Sequence, residues 1–294
     1  MPRLFDAYVI VRWSAASKAA AAADSVVIGL VRRDVRFRNT YQGQTATTRA
    51  EGEKKLAAIL EDLAKRNETV LLGLDFPLGF PRGLAQGLKL EGEPWRAVWN
   101  QLDRMVKDKP DNTNNRFGVG AEINRRVTGG PFPFWGCPPR DALTTLQPKR
   151  TREHEAGDLP EFRLTEARAQ TAPSVWKLYY NGSIGGQAIL GVPMVRRLKL
   201  KYGDELKVWP FETGWGAPDL DGVRIVAAEV FTGAAEAKPA VGESKDQTEI
   251  RAYAEQLAKL DDASKLAPLF AAPQGLGADD AETARAEEGW ILGV

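Results

Sequence analysis

YVIVRWSA, residues 8–15, opens with an unbroken apolar run and turns polar at Arg12. A run without polar alternation reads as a strand covered on both faces, the habit of central strands in α/β sheets. The ends of such strands are where α/β proteins place their working groups. Arg12, followed at once by Trp13 and Ser14, therefore marks a candidate site. TVLLGLD, residues 69–75, has the same shape: apolar until Asp75, then broken by FPLGFP.

The segments around these two runs fix how they meet. SVVIGLV (25–31) reads as a second apolar strand, reached through the alanine-rich AASKAAAAAD. VRFRNTY (35–41) alternates like a half-exposed third strand, and RRD between the two is short enough for a hairpin turn. TTRAEGEKKLAAILEDLAKR sets Leu56, Ile59, Leu60 and Leu63 at helical spacing behind a Thr47 or Thr48 cap. The order strand, strand, strand, helix, strand predicts an antiparallel meander and then a crossover. The crossover lays residues 69–75 parallel to and beside residues 8–11. Arg12 and Asp75 then project from the same end of neighbouring strands.

Residues 82–195 change texture. EPWRAVWNQLDRMVKD and RFGVGAEINRRV read as helices, while GGPFPFWGCPPRD and the 150s read as loops. This block is expected to be a largely helical insertion packed over one sheet face, within a single domain spanning 1–294. Two further strands follow, ELKVWPFET (205–213) and VRIVAAEVFTG (223–233), separated by the turn-forming GWGAPDLDG. DQTEIRAYAEQLAKLDD (246–262) is a late helix, and DDAETARAEEG a short last one before WILGV.

Composition narrows the chemistry. The chain balances 40 Lys+Arg against 39 Asp+Glu, so no global basic field points to nucleic acid. RRDVRFR and RRLKLK read as solvated faces. Cys137, the only cysteine, excludes an intramolecular disulfide and reads as a small buried hydrophobe. His154, the only histidine, lies in the charged run KRTREHEAGD, read as a mobile surface loop. One His and one Cys cannot build the usual zinc set, so any metal must be held by oxygen. No apolar run approaches the roughly 20 residues that span a bilayer. No signal-peptide core is visible, so a cytoplasmic location without a membrane partner is expected.

Four acids then stand out: Asp75, Glu212 and Glu229 at strand ends, and Asp246 opening the late helix. Each could simply cap a turn. As a set they suit Mg²⁺ or Mn²⁺, because paired carboxylates can hold two cations about 4 Å apart and activate water. NGSIGGQAILGVP brings Ser183, Gly185 and Gly186 to a helix start, where backbone N–H groups can meet an anion or merely pack a tight turn. Phe132, Phe134 and Trp135 offer either a stacking platform or, as preferred here, a rigid core loop.

YVIVRWSA, GLDFPLGFP, NRFGVGAEINRR, GPFPFWGCP, SVWKLYYNGSIGGQAILGVP, VWPFET and EEGWILGV together resemble a bacterial family of predicted nucleases with the ribonuclease-H-like superfold. Some relatives carry labels tied to molybdopterin guanine dinucleotide or cobalamin synthesis. The resemblance implies an α/β fold with a mixed five-stranded sheet and flanking helices. It implies a centre of three acids: one ending the first strand, one ending the fourth, one on the late helix. Asp75 matches the fourth-strand acid and Asp246 the helix acid. Glu212 or Glu229 would add a carboxylate, and Glu51 or Glu53 is a weaker candidate. The first position departs from the pattern, since relatives read DWSA and this chain reads RWSA.

Two expectations follow. In one, the chain descends from a metal-dependent nuclease or phosphohydrolase acting on nucleic acid or nucleotides. Asp75, Glu212 and Asp246 are then the metal ligands, Glu229 assists, and Arg12 impairs the site. In the other, Arg12, Trp13, Ser14, Ser183, Gly185 and Gly186 hold a nucleotide or pterin phosphate without cleaving it.

Overall fold

Continuous apolar sequence becomes continuous buried sheet. In the computed structural model, β1 (Ala7–Arg12) and β4 (Val70–Leu74) are covered on both sides and lie parallel, with Val11 opposite Leu74. The structure describes residues 3–19, 26–169, 173–235 and 237–294; part of the alanine-rich connection, and Ser25, fall outside them. β2 (Val26–Arg33) and β3 (Asn39–Ala46) complete the antiparallel meander on the far side of β1.

The third strand begins later than its alternation suggested. Asp34 Oδ1 accepts the backbone N–H groups of Arg36 (2.8 Å) and Arg38 (2.9 Å). That side chain closes a turn through the residues expected to be extended. Val35 and Phe37 consequently stand exposed at its tip.

The sheet has six strands, not five, in the order β3-β2-β1-β4-β6-β5. β6 (Ile225–Glu229) runs parallel to β4, and β5 (Leu206–Val208) parallel to β6. β5 is far shorter than residues 205–213 because Pro210 has no N–H to offer a ladder and Glu212 N turns back to Val208 O.

Alternation along the strands assigns the two faces. Val9, Val11, Leu72 and Leu74 point into one core. That core is covered by α1 (Arg49–Lys65) and by helices lying between β4 and β5. These are α2 (Leu84–Gly87), α3 (Pro94–Met105), α4 (Arg116–Val127) and α6 (Gly185–Tyr202), whereas α5 (Leu164–Ala169) sets Leu164 against the other core. Thr48 caps α1, accepting from Glu51 N. Tyr8, Ile10 and Leu71 point the other way, into a core closed by α7 (Lys245–Asp262). α8 (Ala278–Thr283) and one π-type turn (Ala284–Glu288) lead to the buried Trp290–Leu292. Among the described residues no helix is long and apolar enough to cross a membrane.

Candidate functional site

The parity that fills the cores also aims the polar residues at the strand ends. Arg12 follows Tyr8 and Ile10 in step, and Asp75 follows Leu71 and Gly73, so both point to the α7 side. Ser244 caps α7 through a capping box with Gln247, which fixes the helix start beside the ends of β1 and β4. Asp246 and Glu249, one turn apart on that helix, then face Arg12.

Four of the five N–H groups of the Arg12 guanidinium are engaged. Arg12 Nε donates to Asp75 Oδ2 (2.7 Å), Nη1 to Asp246 Oδ1 (2.5 Å), and Nη2 to Glu249 Oε2 (2.7 Å). Nη2 also donates to Thr232 Oγ1. Thr232, buried in the turn after β6, returns its own hydroxyl to Asp75 Oδ2 (2.8 Å) and its N–H to Asp75 Oδ1 (3.1 Å). Burial opposes the Arg12 charge, but the field of Asp75 and the hydrogen bonds Arg12 donates to Glu249 and Asp75 outweigh it, raising the pKa above its usual value. Glu249 and Thr232 escaped the sequence reading. The only signal for Glu249 was its i,i+3 spacing from Asp246.

A divalent cation does not fit this cluster as it stands. The volume between the three carboxylates holds a group of fixed positive charge that cannot ligate and would repel a metal ion. Asp75 and Asp246 do converge, as expected, but onto a guanidinium.

The other two acids lie elsewhere. Glu229 pairs in register with Leu74, so its side chain leaves the sheet on the opposite face from Asp75. There it receives Arg163 Nη2 (2.6 Å), Arg163 Nη1 (2.8 Å) and Leu78 N (3.0 Å), fully buried, and holds the α5 segment against the sheet. Glu212 accepts from Val208 N (3.0 Å) and pairs with Lys199 (3.0 Å) and Arg96 (3.4 Å). It ties the end of β5 to α6 and α3. The expectation that either joins Asp75 and Asp246 is corrected. Of the weaker candidates, Glu51 accepts from Thr47 at the start of α1 and Glu53 pairs with Arg197.

Beside Arg12 opens a cleft of about 1280 Å³, walled by the stretch after β1, the start of α4 and the loop entering α6. Trp13, Ser14, Ser183 and Asp246 line it. Ser14 Oγ accepts the N–H of Ala16 (3.0 Å), shaping the chain after β1. Gly185 has a packing role: its N–H goes to Lys177 O (3.0 Å), and a Cβ there would lie 2.0 Å from Val175 O. Gly186 is pressed against Ala15 and Leu178 O in the same way. The glycines thus seat α6 on residues 175–178, and the Gly185 N–H is not free for an anion.

Three cations line the cleft that the sequence did not single out, Lys18, Arg140 and Arg116. Arg140 is exposed at its mouth, and Arg116, the first residue of α4, is buried in its wall. Desolvation, and then the neighbouring Arg49 charge, pull the Arg116 pKa down to about 10, which leaves it charged at neutral pH. Tyr179 and Tyr180 present partly exposed rings to the cleft, and Phe117 stands edge-on to Tyr179 at 6.0 Å.

Other readings resolve as packing. Phe132 and Phe134 are buried, the latter edge-on to Trp176 at 4.8 Å, and Cys137 is buried with them. His154 is not on a free loop: Nδ1 lies 2.7 Å from Leu159 O and the ring sits 4.4 Å from Phe132. No protein family, curated protein or solved structure matches this chain.

Proposed function

We propose that this chain binds a phosphorylated ring compound, of nucleotide or pterin type, in the cleft beside Arg12, and that it does so without a divalent cation. The observation that carries the metal-free reading is the Arg12 guanidinium bonded at once to Asp75, Asp246 and Glu249. It supplies from within the chain the positive charge that a carboxylate cluster otherwise draws from metal. The ribonuclease-H-like identity belongs to the same proposal. The meander, the parallel β1–β4 pair and the meeting of Asp75 with Asp246 support it, while β5 is an extra short strand. The cleft's cationic side chains and tyrosine faces suit an oxyanion attached to a flat ring.

The test is a thermal-shift panel of nucleoside 5′-monophosphates and pterin phosphates, with Mg²⁺ and with chelator, alongside Mn²⁺ calorimetry. A ligand at about 100 times its Kd adds about 2.7 kcal/mol of stability, a rise on the order of 5–10 °C. Equal shifts with and without metal, and no Mn²⁺ heat from the wild type, are expected. The Arg12→Asp variant should gain Mn²⁺ binding. Stabilisation seen only with metal, or Mn²⁺-dependent phosphodiester cleavage by the wild type, would return the chain to the hydrolase reading.

A further inference from the structure

Three arginines are buried among the described residues, and they are not treated alike. Arg49 makes a two-pronged pair with Asp108, both contacts at 2.6 Å. Arg163 lies between Glu229 and Glu166. Arg116, 4% exposed, makes no ion pair among the described residues. Its Nη1 reaches only the neutral Ser17 Oγ (2.7 Å) and Asn114 Oδ1 (3.0 Å), and its plane lies over Phe117. Nε is buried without any acceptor. Asp141 and Asp108 act on it only from beyond ion-pair distance, and a buried cation without a direct partner is costly to hold.

A second observation falls in the same place. Six buried side-chain polar atoms are without a partner among the described residues, and three belong to residues of this one cleft: Arg116 Nε, Trp13 Nε1 and Gln187 Oε1. Trp13 is only 1% exposed. Buried polar groups normally find partners, and two donors and an acceptor left over together describe the complement of a ligand. Arg12 is less suited to that ligand's charge, since four of its five N–H groups go to its own chain, three of them to carboxylates.

The structure assigns Arg116 as the seat of the ligand's oxyanion, a phosphate monoester whose flat ring lies toward Tyr179 and Tyr180. The ring rests on the reading given under Proposed function; the oxyanion seat does not depend on which ring it is. A guanidinium fork receives a phosphate through two parallel hydrogen bonds, and the ligand would supply the charge this wall lacks.

Wild type, Arg116→Met and Arg116→Lys are compared in two ways. Without ligand, Arg116→Met should melt at or above wild type, because it removes an uncompensated charge while keeping bulk. In calorimetry with the four nucleoside 5′-monophosphates and their parent nucleosides, wild type should prefer the monophosphates by about 10-fold or more. Arg116→Met should lose that preference while keeping nucleoside affinity, and Arg116→Lys should restore part of it. A ligand-free Arg116→Met melting more than about 2 °C below wild type, or one that keeps the monophosphate preference, overturns the assignment. Should wild type bind no member of the panel, the nucleotide reading fails, and inorganic phosphate decides the seat. Stabilisation of wild type but not of Arg116→Met sustains it, and any other pattern ends it.

Discussion

Replacing Arg12 by Met would leave Asp75, Asp246 and Glu249 facing one another without the charge that joins them. At about 4 Å between charge centres and an effective dielectric near 20, each contact is worth roughly 4 kcal/mol before solvation is counted. Solvation takes back much of this, because the Arg12 side chain is 18% exposed and its partners 12%, 28% and 15%. Removing one partner from a buried charged cluster typically costs about 3–5 kcal/mol, and the exposure here points to the lower half of that range. The melting temperature should fall on the order of 10 °C at pH 7 in chelator. Carboxylates repel one another only while ionised, so the penalty of stranding them is absent in acid and grows as pH rises. Urea denaturation of Arg12→Met and wild type at pH 4.5, 6 and 7.5 should show a gap that widens with pH and narrows when Mn²⁺ is added at pH 7.5. A gap independent of pH would refute the view that Arg12 acts as an internal counter-ion.

Two further predictions concern the frame around the cleft. Gly185→Ala should cost about 3 kcal/mol or more, read by urea denaturation, because its Cβ would meet Val175 O at 2.0 Å; a neutral result would show that α6 is not seated as described. Burial pushes the Glu288 carboxyl above its ordinary range, so the native chain holds a proton that the unfolded chain releases, and this contribution weakens as pH rises above about 4.3. Glu288→Gln should gain on wild type as pH climbs from 4.5 to 7.5 in paired denaturation curves, and a constant difference would count against the raised pKa.

The central pair of strands was legible because its cause is local. Two unbroken apolar runs and a capped amphipathic helix between them leave one crossover geometry, and Arg12 beside Asp75 follows from it. What failed depended on direction rather than identity. Glu229 looked equivalent to Asp75 as an acid ending an apolar run, yet its in-register partner Leu74 faces the opposite core. Counting parity from Val226 and Ala228, which share the α7 face, would have separated it. Glu249 needed α7 to be placed across β1, a tertiary fact that its i,i+3 spacing from Asp246 only hints at. Arg116 was hidden for the opposite reason. An arginine beginning a helix reads as a solvated charge, and only packing reveals that its neighbours are Phe117, Ser17 and another arginine.

The two guanidiniums of this region explain why the anion seat and the carboxylate cluster are separate. Three carboxylates against one guanidinium leave the Arg12 cluster with a formal surplus of two negative charges, and Asp246 carries part of that surplus to the cleft wall. A phosphate placed there would meet like charge, and Arg12 has its own carboxylates to satisfy first. On another wall the imbalance is reversed: Arg116 has too few partners, and Arg140 stands nearby, 3.9 Å from Asp141. The cleft therefore sets Asp246 beside Arg12 and, at α4, an Arg116 without an ion pair, with Asp141 next to Arg140. A ligand with one anionic end and one flat, uncharged end has a single favourable orientation in it, phosphate toward α4 and away from Arg12.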